Sequence, residues 1–296
     1  YYGIPLMIDG TVLIYNESLL KQAGISSPPS VWLGDSNDVF TAAAATTVRD
    51  ATGEIITSGI AMGSATNIPH FGEMFGILLL LNGGDFNNLS TDEAREALEL
   101  YRRFAEQEYW SDKMPSAITA FIEGKVAMIL APSWQVLNIK AQNPELQIKT
   151  APIPTGLDSS AVSIASYWVE GVNRLNPNQA EAWKFLTFMS EREQLAKLYE
   201  LQSKTRLFGN PYPRQDMADL LIGHQYLGAV IKQAKDDVFV SLPLVALTHD
   251  EGLNDEILQY LENAINSTAE GVDYSAALQT AQSGISQVLD RYEIER

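Results

Sequence analysis

The chain has 296 residues, a formal net charge of −17 and a sequence pI of about 4.5. Its Lys+Arg count of 20 against an Asp+Glu count of 37 makes it repel phosphate backbones and anionic lipid surfaces, which argues against a nucleic-acid partner. The sequence contains no Cys, which excludes disulfides and thiolate metal sites, and no apolar run reaches the roughly eighteen residues that a membrane-spanning helix needs.

The first segment combines an apolar run with a short amphipathic stretch. Residues 2–25 are YGIPLMIDGTVLIYNESLLKQAGI. The apolar run carries one carboxylate, Asp9, and ends at Asn16. Gly24 closes the amphipathic stretch, and glycine commonly ends helices because it accepts a left-handed backbone conformation. The segment therefore predicts a strand followed by a helix.

Two helices and a strand are predicted in the middle of the chain. Residues 90–93 (STDE) form a capping box, in which the Ser90 side chain accepts from a backbone N–H three residues on and Glu93 reaches back. Apolar residues at helical spacing follow, so a helix is expected there. A shorter helix through Ala117 and Phe121 is expected to end at Gly124, and the apolar residues 126–130 predict a buried strand.

The last third of the chain continues the alternation of strands and helices. Strand-like runs occupy residues 147–151 and 167–172. Asn176 and Pro177 offer an N-cap with proline in the first helical position. The inner stripe predicted for that helix is Ala182, Phe185, Leu186 and Met189. Alternation of this kind predicts an α/β architecture.

Several of these blocks together resemble one protein family. They are the segment 2–25, Pro28-Pro29 with Trp32, FIEGKVAMI (residues 121–129) with PSW (132–134), APIP (151–154) and YWVEGVN (167–173). In this order and at this spacing they resemble the extracellular solute-binding proteins of ABC importers, family 1, which are maltose-binding-protein-like. The resemblance extends over nearly the whole sequence.

The resemblance implies a two-lobed periplasmic-binding-protein fold of type II, whose lobes close around a ligand by hinge bending. Its layout assigns residues 1–9 to a hinge strand, 10–168 and 243–296 to the second lobe, and 169–242 to the remaining part of the first lobe. A further crossing between the lobes is expected near residues 240–244, and the C-terminal helices are expected to pack on the second lobe.

Family members begin with an export signal and about 100 further residues before the first block. The resemblance therefore implies that this chain is N-terminally truncated and that its first lobe is incomplete. Apolar side chains of residues 171–238 would then face water. The side chains expected to do so include Trp183, Phe185, Leu186 and Leu195.

A sugar-binding cleft needs flat aromatic rings for the C–H face of a sugar and charged or amide groups for its hydroxyls. The resemblance places the carboxylate of Asp9 in the cleft, where it accepts hydrogen bonds from sugar hydroxyls. The candidate ligand-binding residues are Asp9, His70, Phe71, Glu73, Trp134, Trp168 and Glu170.

Each aromatic candidate also has a purely structural interpretation. Trp134 follows Pro132 at the start of a predicted helix, a position that favours the cleft over the core. Trp168 lies in an apolar strand and suits cleft and core equally well. His70 and Phe71 lie where a loop enters a helix, and a hydrophobic staple explains a lone aromatic there as well as ligand stacking does.

The acidic candidates have structural alternatives too. Glu170 interrupts an apolar strand, and a buried carboxylate there would need either a ligand or a salt bridge. Glu73 fits a first-turn carboxylate that the helix dipole stabilises. Arg206 and Arg214 flank the turn at residues 211–213. We interpret both as solvated surface, with recognition of an anion or hydroxyl as the alternative.

Two classes of function remain open at this point, beside the third possibility that the truncation leaves an inert fragment. The favoured one is capture of a sugar or oligosaccharide outside the cell and its delivery to an ABC permease, without chemistry. The alternative is a glycoside hydrolase, in which two carboxyl groups about 5 to 9 Å apart would flank the scissile bond.

No cofactor or metal is indicated, because the three histidines lack metal-ligand spacing and no nucleotide-binding or hydrolase motif occurs. The resemblance implies a periplasmic or extracellular location, with the chain held at the cell surface by a lipid anchor as one option. We expect contact with the membrane only through the permease or through such an anchor.

Overall fold

The computed structural model describes residues 2–34, 36–156, 160–236, 238–242 and 251–294. The strands are β1 (Ile4–Asn16), β2 (Val48–Arg49), β3 (Ile55–Ile60), β4 (Val126–Pro132), β5 (Ile148–Ala151), β6 (Ser163–Glu170) and β7 (Phe239–Val240). The helices are α1 (Glu17–Gln22), α2 (Val39–Thr46), α3 (Phe71–Leu81), α4 (Asp92–Glu106), α5 (Ala117–Ile122), α6 (Gln135–Gln142), α7 (Gln179–Met189), α8 (Arg192–Ser203), α9 (Gly228–Lys235), α10 (Leu253–Ala269) and α11 (Tyr274–Arg291). A 3-10 helix spans Gln215–Leu220. The predicted α/β class is confirmed.

Strand β1 organises the sheet. Its second half pairs antiparallel with β4 and β5, and its first half pairs antiparallel with β6. Strand β3 runs parallel to β4, and β7 runs parallel to β6. The described strands form one mixed sheet in the order β2-β3-β4-β1-β6-β7, with β5 on β1. One long strand therefore connects the part of the sheet built by β3 and β4 to the part built by β6 and β7.

The main core packs helices against the β3–β4 side of this sheet. Helix α3 contributes Phe75, α4 contributes Tyr101 and Phe104, and α5 contributes Phe121, all fully buried. Residues 126–131 of β4 are buried as well, which matches the continuous apolar run that predicted the strand. Helices α10 and α11 pack on each other and on α4.

Local signals predicted the ends of several elements correctly. The residues that predicted a strand and a helix form β1 and α1, and Gly24 follows α1 with φ of +79°. The side chain of Asn16 caps α1 by accepting from the N–H groups of Ser18 and Leu19. Gly124 follows α5 with φ of +72°, as predicted.

Two predicted helix starts were wrong by one or two residues. Helix α4 is capped by Thr91, which accepts from the N–H of Ala94 at 3.3 Å, and not by Ser90. Both residues are hydroxyl-bearing neighbours, and the apolar spacing alone does not choose between them. Helix α7 has Asn178 as its N-cap, because the side chain of Asn176 instead accepts from the N–H of Asn178 in a turn of its own.

Helices α7 and α8 leave large apolar side chains in solvent. Phe185, Phe188 and Leu201 are 59%, 46% and 60% exposed. Of the side chains expected to face water, Phe185 does so, whereas Leu186 and Leu195 are buried, so that part of the expectation was wrong. The inner stripe predicted for α7 therefore reduces to Leu186, its one buried residue.

We expect this exposed surface of α7 and α8 to bind the hydrophobic dye ANS, because clustered exposed apolar side chains bind apolar probes. Replacing Phe185 and Phe188 together by serine should lower the dye fluorescence and leave the melting temperature nearly unchanged, because both side chains are solvent-exposed. Dye fluorescence and thermal unfolding check the two halves of this prediction. A wild-type chain that does not raise the fluorescence of ANS would contradict it.

The crossing expected near residues 240–244 is described only up to residue 242, and residues 243–250 lie outside the described part of the chain. Among the helices that are described, none combines the length and the apolarity needed to span a bilayer.

Candidate functional site

A cavity of about 870 Å³ opens where β1 and β6 meet α3, α6 and the loop of residues 206–211. This volume is in the range of small-molecule binding sites. The residues that line it are Met7, Asp9, Pro69, His70, Glu73, Ile118, Pro132, Trp134, Gln135, Leu137, Asn138, Ser166, Tyr167, Trp168, Arg206, Phe208, Gly209, Asn210 and Pro211. Cavities of similar size, about 790 and 810 Å³, lie elsewhere and contain none of the predicted ligand-binding residues.

The register of β1 against β6 brings four side chains to one wall of this cavity. Asp9 lies opposite Ser166 and Met7 lies opposite Trp168. Side chains alternate between the two faces of a strand, and directly opposed residues share a face, so these two pairs point the same way. Trp168 is 69% exposed, so its indole lies on the open side of the sheet and not in the core.

Asp9 is buried and holds the start of helix α6. Its Oδ1 accepts from the N–H of Gly10 at 2.7 Å and from that of Ser133 at 3.1 Å, and its Oδ2 accepts from the N–H of Trp134 at 3.0 Å. The N–H groups at a helix start lack partners within the helix, and a carboxylate satisfies them and interacts favourably with the helix dipole. Burial raises the pKa of Asp9, and its hydrogen bonds oppose this shift.

Trp134 stands at the N-cap position of α6, directly on this anchor. Its backbone N–H is held by Asp9, while its side chain is 44% exposed and lines the cavity. The indole is therefore presented to the cavity on a backbone that a hydrogen bond to a buried carboxylate holds in place. This geometry suits stacking against a flat apolar surface of a ligand.

A second polar group faces the cavity from the start of helix α3. The Nδ1 atom of His70 lies 3.2 Å from Oε1 of Glu73, and its Nε2 atom lies 3.4 Å from Nε2 of Gln135. Both His70 and Glu73 are buried. The other carboxylate oxygen of Glu73, Oε2, is buried without a hydrogen-bond partner in the structure. A buried unpaired acceptor is costly, and a ligand hydroxyl would satisfy it.

The remaining two candidates lie away from this wall. Phe71 is buried in the main core and does not line the cavity, which fits the structural alternative. Glu170 is solvent-exposed at the end of β6, so the expectation that it is a buried carboxylate was wrong. The last five residues of β6 are exposed, and its apolar composition did not indicate this.

The cavity also contains residues that the sequence did not single out as ligand-binding. Gln135 and Asn138 line it from α6, and Asn138 donates to Oε1 of Gln135 at 3.3 Å. The loop 206–211 contributes Asn210, and also Arg206, for which the sequence left recognition of an anion or hydroxyl as the alternative to solvated surface. No motif marks these positions. The position of Gln135 directly after Trp134 was the one available signal. Among the described residues, no cluster of three or more His, Asp or Glu side chains could hold a metal ion.

A family model of bacterial extracellular solute-binding proteins matches residues 1–206 of the chain. The chain belongs to this family. Among its relatives are a putative binding protein of Brucella abortus, 27% identical over 203 residues, and the maltodextrin-binding protein MdxE of Bacillus subtilis, 26% identical over 201 residues. The matched regions cover 66% and 62% of this chain and 48% and 44% of the relatives, so the match spans about half of their length.

Solved structures of solute-binding proteins share the fold at low sequence identity. A cyclo/maltodextrin-binding protein complexed with maltotetraose superimposes with a TM-score of 0.77 at 15% identity, over 98% of this chain and 71% of that protein. A solute-binding protein from Thermotoga lettingae bound to α-D-tagatose gives a TM-score of 0.71 at 19% identity, over 97% and 72% of the two chains. The expected two-lobed periplasmic-binding-protein fold is confirmed at the level of fold class.

Proposed function

We propose that this solute-binding protein captures a sugar or oligosaccharide in the cavity between β1, β6, α3, α6 and the loop 206–211, and delivers it to an ABC permease without chemistry. The observation that carries the proposal is that a half-exposed indole, Trp134, and a carboxylate with one oxygen lacking a hydrogen-bond partner, Glu73, line one cavity. A sugar offers the matching surfaces, an apolar ring face and a rim of hydroxyl donors.

The relatives support the carbohydrate class. One of them is a maltodextrin-binding protein, and the superimposed structures contain maltotetraose and tagatose. Five of the predicted ligand-binding residues line the cavity, namely Asp9, His70, Glu73, Trp134 and Trp168. We propose that these five belong to the ligand site. Asp9 takes part chiefly by holding Trp134, since each of its oxygens already accepts from at least one backbone N–H.

We further propose that β1 and β6 form the hinge region. The hinge strand would then be residues 1–9, and the second lobe residues 10–168 with 243–296. Residues 169–242 would belong to the first lobe. The lining of the cavity supports this, because it combines residues of α3 and α6, from the proposed second lobe, with the loop 206–211 from the proposed first-lobe segment. Closure of the two sides around a ligand would distinguish the loaded from the empty protein for a permease.

A glycoside hydrolase is less well supported by the geometry. Asp9 and Glu73 both reach the cavity, but the oxygens of Asp9 are occupied by three backbone N–H groups and Glu170 lies outside. Of the three carboxylates, Glu73 is then the one in the cavity that is not held by backbone N–H groups, whereas the hydrolytic mechanism needs a pair. The family name supports an extracellular location, and we propose a periplasmic or surface-anchored one.

A thermal-shift screen against mono- and oligosaccharides tests the proposal, because a ligand that binds only the folded state raises its stability. Calorimetry on the best saccharide then gives the affinity. We expect Glu73→Gln to weaken binding by about 1.5 to 3 kcal/mol, because the neutral amide loses the charge-assisted hydrogen bond from a hydroxyl.

Glu170→Gln is the matched control, since it removes an exposed carboxylate outside the cavity and should leave the affinity unchanged. Equal affinities for wild type and Glu73→Gln would remove Glu73 from the site. If no saccharide in the screen stabilises the wild-type chain, the proposed function itself fails.

A further inference from the structure

Arg206 is the one Lys or Arg side chain among the described residues that line the cavity. It lies in the loop 206–211 and lines the same cavity as Asp9, His70, Glu73 and Trp134. Arginine presents five N–H donors in a rigid plane, which can bind two neighbouring oxygen atoms at once. Its place in the cavity therefore adds a donor to a site whose other charged groups are acceptors.

The loop that carries Arg206 is held by one bond within it and by bonds to two neighbouring elements. Asn210 accepts a hydrogen bond from the Arg206 guanidinium through its Oδ1 atom, and its own N–H donates to Oε1 of Gln202 at 2.7 Å. The carbonyl of Pro211 accepts from the N–H of Ile8 in β1 at 3.2 Å. These bonds connect the loop to α8 and to the hinge strand, so the guanidinium is oriented before a ligand arrives.

Gly209 allows this loop to lie close to α8. A Cβ atom at this position would come within 2.5 Å of the carbonyl oxygen of Tyr199, so a larger residue would push the loop away. Close packing at Gly209, as well as hydrogen bonds, therefore fixes the backbone of the loop 206–211.

Arg206 differs from its neighbours in having no acidic partner among the described residues. Arg192 and Arg214 both pair with Asp216, and Lys235 pairs with Asp219, all in the same stretch of chain. In the part of the chain that the structure describes, the polar side-chain contact of Arg206 is to the neutral amide of Asn210. An arginine that is oriented but not neutralised, at a cavity wall, keeps most of its donors for another molecule.

We propose that Arg206 is a ligand-binding residue that selects saccharides presenting two adjacent oxygen acceptors, either a carboxylate or a pair of neighbouring hydroxyls. This inference rests on the proposed function and adds to it a specificity contact from the side of the loop 206–211. Asn210 is its positioning residue, because it takes one N–H and leaves the rest of the guanidinium directed to the cavity.

The test compares Arg206→Gln and Arg206→Lys with wild type by calorimetry, on neutral oligosaccharides and on their uronic-acid counterparts. We expect Arg206→Gln to lower the affinity for the preferred saccharide by about tenfold or more, as loss of a charge-assisted hydrogen bond does. Arg206→Lys should recover only part of the affinity, because an ammonium group cannot bind two oxygens in one plane. Arg214→Gln, which removes an arginine outside the cavity wall, is the matched control and should bind normally.

The two ligand sets distinguish the sources of the oxygens. A preference for the uronic acid that falls with added salt and disappears in Arg206→Gln identifies a carboxylate, whereas an equal loss of affinity for both sets identifies the hydroxyls that both sets carry. Wild-type affinity for both sets in Arg206→Gln would overturn the inference while leaving the proposed function intact. Absence of binding by the wild-type chain to either set would overturn both.

Discussion

Replacing Asp9 by alanine should lower the free energy of unfolding by about 3 kcal/mol and weaken sugar binding at the same time. The substitution leaves the buried N–H groups of Gly10, Ser133 and Trp134 without their acceptor, and an unsatisfied buried donor costs about 1 to 3 kcal/mol. Urea unfolding measures the first effect and calorimetry the second. The affinity for the sugar should fall because the backbone that presents the Trp134 indole loses its hydrogen bond to Asp9.

Asp9→Asn separates the two roles of this carboxylate. The amide keeps one oxygen acceptor but turns an NH₂ group toward one of the backbone donors, so we expect a loss of stability smaller than that of the alanine variant. A lowered melting temperature with preserved affinity would show that Asp9 is structural and does not accept from the ligand. Unchanged unfolding in both variants would contradict the anchoring role.

Trp134→Ala should weaken sugar binding by about 1 to 3 kcal/mol, in the range of aromatic anchors at other interfaces, while leaving the fold intact. The fold should survive because nearly half of the side chain is in solvent and the N–H that Asp9 binds belongs to the backbone. Calorimetry gives the affinity, and far-ultraviolet circular dichroism gives the fold.

Trp134→Phe provides the control for this prediction. It retains a ring for stacking with less area, and should lose less affinity than alanine. The fully buried Trp110 offers a contrast, since Trp110→Ala should reduce stability by about 3 to 5 kcal/mol through loss of core packing. Equal affinities for Trp134→Ala and wild type would exclude the indole from the ligand site.

The sequence predicted those parts of the fold that depend on neighbours along the chain. The apolar run of β1 and the glycines after α1 and α5 identified their elements correctly, since strand and helix patterns and left-handed caps are local properties. Where two suitable caps stood close together, as at Ser90 and Thr91, local pattern could not choose between them. The helical spacing that put Phe185 on the inner stripe of α7 failed for another reason, because apolarity predicts burial only when another element covers the face.

The candidate site could be predicted only in part. Asp9 and Trp134 were named from the resemblance, and both line the cavity. Their connection could not be foreseen, because it is a hydrogen bond between residues 125 positions apart in the chain. Arg206 carried no local signal that separated it from Arg214, and only its position in the folded chain does so.

The sequence by itself determined the α/β class, the membership of the solute-binding family and the set of rings and carboxylates from which a sugar site can be built. The tertiary structure decided which of them share one cavity. The register of β1 against β6 placed Asp9 and Trp168 on one wall, and the loop 206–211 brought Arg206 to the same cavity. Strand register and loop placement depend on contacts between distant parts of the chain, and local sequence patterns do not encode these.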